Sequence, residues 1–196
     1  MSINNTWSFE QEKNKPLSGG KLILAEPFLY DGNFKRSVVL VCEHNDAGTV
    51  GLMINRPFKV NLTDVLPDFP DFDARIFLGG PVGTDSLQFI HTIGDKIAGG
   101  IRLTEGIYWG GDFGTLKILI ETNQIKNTDV HFFIGYSGWD KGQLDSELRE
   151  NSWIIAEAKH EYLFSNQPLT IWNKIMNDLG GIYKTMSQYP ENPILN

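Results

Sequence analysis

Gly135-Tyr136-Ser137-Gly138-Trp139-Asp140-Lys141-Gly142-Gln143-Leu144-Asp145-Ser146-Glu147-Leu148-Arg149-Glu150-Asn151-Ser152-Trp153 is the stretch on which the reading of the chain turns. An apolar segment at 130–134 precedes it, Leu144 and Leu148 stand at the spacing of one helix face, and a second apolar segment begins at Trp153. The pattern predicts strand, tight turn, helix and strand. Trp139 and Trp153 bracket the helix, and Gly138 and Gly142 fall where a larger side chain would hold it away from its neighbours. The stretch therefore reads as a joint in the core.

Upstream, 21–27 reads as a short strand and Asp31-Gly32 as a turn. The apolar runs 37–43 and 49–55 flank Asn45-Asp46-Ala47-Gly48, which predicts an antiparallel hairpin in the core. Asn61 is placed to cap a short helix ending near Pro67, and 75–78 is a strand broken by Gly79-Gly80-Pro81. Short strands follow at 87–92, 101–104 and 107–109; then Asp112 caps a helix carrying Leu116, Leu119 and Ile120. The last clear element is 169–179, with one wide apolar face and Gly180-Gly181 as its stop. Composition and periodicity thus give one α+β domain with a mixed sheet.

The totals narrow the function. A chain of 196 residues with 41% hydrophobic and 21% charged residues fits a single domain that needs neither disulfides nor metals. Seventeen basic against 24 acidic residues leave a net charge of -7, and no group of Lys and Arg clusters to meet neighbouring phosphates. Direct nucleic-acid binding is disfavoured. The single Cys42 forms no internal disulfide, and the start of the chain lacks a basic segment followed by an apolar run, so the expected location is the cytoplasm. The longest apolar runs fall far short of the ~20 residues that span a bilayer.

The motif Gly135-Tyr136-Ser137-Gly138-Trp139, followed by Gly142-Gln143-Leu144 and Glu147-Leu148, resembles the AlgH/YqgE family of bacterial proteins. Phe34-Lys35-Arg36-Ser37-Val38-Val39, Cys42-Glu43-His44-Asn45, Gly51-Leu52, Asn55-Arg56-Pro57, Gly79-Gly80-Pro81-Val82 and His91 resemble its pattern in order and spacing. The resemblance implies a mixed sheet partly closed into a barrel and flanked by helices. It divides the chain into a polar extension (1–19), the AlgH/YqgE-like domain (20–182) and a tail (183–196). It brings no established reaction, since the family is commonly labelled a regulator of transcription without a known biochemical activity.

Several residues carry competing readings. Cys42 and His44, two apart on a strand, would share a face and allow a Cys-His redox or nucleophile pair; the alternative is a buried thiol. His91, His131 and His160 are scattered singly, so no metal site is expected. Ser137 sits in a near match to a hydrolase elbow, but Trp139 occupies the place of its second glycine, which favours a turn or cap role. Asp-Phe-Gly at 112–114 stands without the other kinase loops. The acidic run Asp140, Asp145, Glu147 and Glu150 offers paired carboxylates or, more commonly, a solvated helix face. Gly79, Gly80 and Pro81 offer backbone amides to an anion, with Arg36 or Arg56 as counter-charges and Asn55 and His91 completing a pocket; the alternative is a tight turn.

Two functions compete. One is a non-enzymatic interaction protein, or an indirect regulator, with an unidentified protein partner. The other is a small-molecule or anion binder, or an enzyme, using the pocket just named. No cofactor is expected for either, and the oligomeric state is left open.

Overall fold

The computed structural model describes residues 16–29 and 31–190; most of the expected N-terminal extension and the end of the tail lie outside these. Among the described residues ten strands form one mixed sheet: β1 (Lys21–Ala25), β2 (Val38–Asn45), β3 (Gly48–Met53), β4 (Pro57–Phe58), β5 (Arg75–Leu78), β6 (Val82–His91), β7 (Ile101–Thr104), β8 (Ile107–Trp109), β9 (Val130–Asp140) and β10 (Trp153–Glu157). The order is β10-β1-β2-β3-β9-β6-β8-β7, with β4 and β5 attached beside β9. Only β5 and β9 run parallel among these pairings.

The helices are α1 (Leu62–Val65), α2 (Phe113–Glu121), α3 (Gln143–Arg149), α4 (His160–Leu163), α5 (Ile171–Leu179) and α6 (Gly181–Met186). Asp112 caps α2 as expected, its Oδ1 accepting from the Thr115 amide at 2.7 Å. Asn61 and Asp64 form a capping box on α1.

β9 departs from its expected form. Gly-Tyr-Ser-Gly reads as a turn, yet the strand runs on through Gly135, at φ 66°, to Asp140. Its first half pairs with β5 on one edge and β6 on the other; its second half pairs with β3. One long strand thus joins the two halves of the sheet. At its centre a Cβ on Gly135 would come within 2.8 Å of the Gly80 carbonyl oxygen, and one on Gly79 within 2.3 Å of the Gly135 carbonyl oxygen. Neither position has room for a side chain, so the end of β5 can lie directly on β9.

Side-chain alternation along the strands separates three apolar clusters. Leu22, Leu24, Leu40 and Leu52 from the first half meet Phe77, Ile90, Ile107 and Phe133 from the second, with Trp172, Ile175 and Met176 of α5 in the same cluster. Ile23, Val39, Val41 and Met53, on the opposite face, pack with Trp139, Leu144 and Trp153. Leu116, Leu119 and Ile120 of α2 share the third cluster with Ile76, Phe89 and Phe132. The curl brings the start of β1 to the far edge, where a Cβ on Gly20 would lie 2.0 Å from the Leu103 carbonyl oxygen on β7. The sheet is barrel-like in this sense without closing.

Two helices were not legible in advance. Residues 181–186, expected as a stop and tail, form α6, with Tyr183 and Met186 against the central cluster. α4 fills the interval before α5, burying Tyr162 and Leu163.

Candidate functional site

Arg36, Asn55 and Arg56 meet at one joint. Asn55, 2% exposed, accepts from the Val38 amide at 2.9 Å and donates to the Arg36 carbonyl at 2.8 Å. The Arg56 guanidinium donates to the carbonyls of Lys35 and Asn55, and its own carbonyl accepts from the Leu78 amide at 2.9 Å. The Arg36 guanidinium stacks 4.8 Å over the Trp172 ring and donates to the Tyr189 carbonyl. The Arg56 fork fastens the loop before β2 to the end of β3, and the Arg36 guanidinium ties the same loop to Trp172 and Tyr189 near the end of the chain.

Gly79 adjoins this joint. Its carbonyl accepts from the Met53 amide at 2.9 Å and from the Ser137 hydroxyl at 3.0 Å, while its amide donates to the Ile134 carbonyl at 2.8 Å. Gly79 and Gly80 are buried and Pro81 is exposed. Ser137 lies fully buried inside β9, neither in a turn nor at a helix cap.

His91 stands elsewhere. Val82 pairs with Tyr136 and His91 with Val130, which places the glycine turn and the imidazole at opposite ends of a strand segment about 20 Å long. His91 is fully buried and stacks on Tyr108 at 5.4 Å. Its Nε2 lies 3.1 Å from the Gly110 carbonyl, and its Nδ1 accepts from the Ile93 amide at 3.3 Å. That arrangement suits the neutral imidazole, and burial lowers the pKa against a smaller opposing effect of the Gly110 carbonyl.

Cys42 and His44 do not share a face. A β-bulge between Val41 and Glu43 shifts the register of β2 against β3, so alternation breaks between the two residues. Cys42 faces the central cluster, its thiol pushed up by burial and then by the charge of Glu43. His44 is directed to the other side, its Nδ1 2.7 Å from Thr49 Oγ1 and its Nε2 3.7 Å from Asp145 on α3. The shared face expected of the two residues is thereby corrected, and the reading of Cys42 as a buried thiol fits its place in the core.

The acidic run also divides. Oε2 of Glu147 accepts from the indole N–H groups of Trp139 at 2.9 Å and Trp153 at 2.7 Å, and Oε1 accepts from Gln143 at 2.9 Å. Glu147 is a clamp rather than part of a solvated face, a role its charge alone did not signal. Gly142 has open space where a Cβ would stand; what it supplies is a left-handed φ of 73° at the start of α3.

One solvent-open cleft, of about 350 Å³, lies at the tip of the β2–β3 hairpin. Val50, Val82 and Tyr136 give it apolar walls, Gly138 leaves its floor open, and Glu43 and Asp140 line it with charge. Sequence reasoning placed no site here, since these residues come from four strands and converge only through the pairing of β3 and β6 with β9.

Fold and joints together define a single-domain α+β protein built on a curled mixed sheet. The chain belongs to the AlgH-like family, whose model matches residues 22–184. It is 41% identical over 187 residues to a UPF0301 protein of Chlorobium limicola, covering 95% of this chain and 98% of that one. A UPF0301 protein of Cytophaga hutchinsonii is 42% identical over 181 residues, covering 92% of this chain and all of that one. Among solved structures, AlgH from Pseudomonas aeruginosa is similar at a TM-score of 0.71 and 29% identity, over 90% of this chain and 97% of that one. A Corynebacterium diphtheriae protein shares the fold at a TM-score of 0.74 and 20% identity, over 96% of this chain and 100% of that one.

Proposed function

We propose that this chain acts as a non-enzymatic interaction protein in the cytoplasm, and that any influence on transcription runs through a protein partner rather than through contact with nucleic acid. The observation that carries this reading is the commitment of Ser137, Cys42, His91, Arg36 and Arg56 to the fold. Ser137 donates to a backbone carbonyl, Cys42 is buried as the thiol, and His91 is enclosed and bonded through both ring nitrogens. The guanidinium groups of Arg36 and Arg56 hold backbone carbonyls. A nucleophile must reach substrate and a base must exchange its proton, and these groups are occupied otherwise. The net charge of -7 opposes approach to a phosphate backbone.

The alternative, an anion or small-molecule pocket at Asn55, Arg56, Gly79, Gly80, Pro81 and His91, draws support from the meeting of Asn55, Arg56 and Gly79. The separation of His91 and the engagement of the Gly79 amide weigh against it.

The test is reconstitution: a partner recovered with the tagged chain from its own cells, then rebound from two purified proteins at fixed stoichiometry. Saturable binding at ~150 mM salt is the expected result. Turnover of a substrate in a hydrolase, transferase or redox screen, lost on Ser137→Ala, Cys42→Ser or His91→Asn, would overturn it.

A further inference from the structure

The cleft at the hairpin tip is lined by Glu43, Val50, Val82, Tyr136, Gly138 and Asp140. Gly138 is exposed and pairs with Val50, and a Cβ there would meet the Tyr136 ring at 3.2 Å and Val82 Cγ2 at 3.8 Å, so the missing side chain opens the space between them. Val82 is 39% exposed at the rim. The carboxylates of Glu43 and Asp140 have no cation partner among the described residues, and the nearby Lys141 lies 3.7 Å from Asp46 instead.

From this juxtaposition of apolar walls and uncompensated carboxylates, we infer that the cleft receives an arginine or lysine side chain from an extended basic segment of a partner protein. The stem of such a side chain lies along apolar surface while its head meets carboxylate, as these walls and this rim require. An open cleft leaves a free small molecule mostly in water, whereas a segment anchored on both sides brings its own flanking contacts. The inference rests on the interaction reading proposed above.

The experiment uses the full chain and two blocked hexapeptides, one alternating valine with arginine and one alternating valine with glutamate. Binding is followed by amide shifts at Val50 and Gly138. The arginine peptide is expected to bind and move these amides, the glutamate peptide is not, and Glu43→Gln with Asp140→Asn is expected to weaken binding about tenfold. Gly138→Val is expected to block the cleft with both charges retained. Its melting temperature shows whether the fold survives, and the charge variants, at exposed positions, decide the matter if it does not.

Equal binding of the two peptides, or unchanged affinity in the charge variant, overturns the inference. So does spermidine bound at these amides as tightly as the peptide, which would identify a free cation, or self-association through them. A reconstituted partner whose affinity ignores the cleft variants refutes the cleft alone and leaves the interaction reading standing. Substrate turnover refutes the reading itself.

Discussion

Trp139 and Trp153 are fastened to each other edge-to-face, ring centres 5.6 Å apart, with both indole N–H groups on one oxygen of Glu147. The first stands one residue before the end of β9, the second begins β10, and α3 between them supplies the carboxylate. Glu147→Ala leaves two indole donors in a partly buried site without their acceptor, a loss of about 1–3 kcal/mol. Glu147→Gln, which keeps an acceptor oxygen, should recover part of it. Chemical denaturation of the variants measures both.

Leu144, 1% exposed, drives α3 into the cluster containing both tryptophans. Leu144→Ala is expected to cost about 2–5 kcal/mol through the cavity left behind, and Glu150→Ala, on the exposed face, about 0.5 kcal/mol or less. Denaturant midpoints ranked in the opposite order contradict the packing of this helix.

His131 is 4% exposed, and its Nδ1 has no hydrogen-bond partner. Burial, helped by the charges of Arg75 and His160 and opposed by a hydrogen bond to the Leu163 backbone, brings its pKa from 6.5 down to about 4. Below 6.5 the unfolded chain takes up a proton that the folded chain refuses, so stability falls as pH drops from about 6.5 to about 4. The loss over that window is about 3 kcal/mol. His131→Phe should flatten this part of the stability profile; an unchanged slope would show that the loss comes from other groups.

Cys42 should react slowly with a thiol reagent at neutral pH, because burial and the charge of Glu43 both disfavour the thiolate. Modification in the native protein is expected only as fast as local opening exposes the strand, and it should accelerate sharply in denaturant. Rapid labelling without denaturant contradicts this burial.

Strand and helix identities were legible where side-chain period decides them: the hairpin of β2 and β3, the apolar faces of α2 and α5, the cap at Asp112. The long β9 was hidden because Gly135 and Gly138 carry turn chemistry in sequence, while their use here is close backbone approach and open space. The bulge that parts Cys42 from His44 inserts one residue without changing composition, so alternation alone misplaced His44. Asn55, Arg56 and Gly79 were recognisable as a group, whereas their hydrogen-bond partners are mostly backbone atoms that no side-chain pattern encodes. The cleft depends on strand order, which joins residues 43, 50, 82 and 138 only after folding.

The central claim, that the motif residues serve the architecture, is tested most directly by the melting temperature of Arg56→Lys with no ligand present. Lysine keeps the charge but has no planar fork to hold the carbonyls of Lys35 and Asn55 together. The structural account predicts a drop of roughly 2–4 °C for each kcal/mol lost in a chain of this size. An unchanged melting temperature would contradict it and put the pocket reading first.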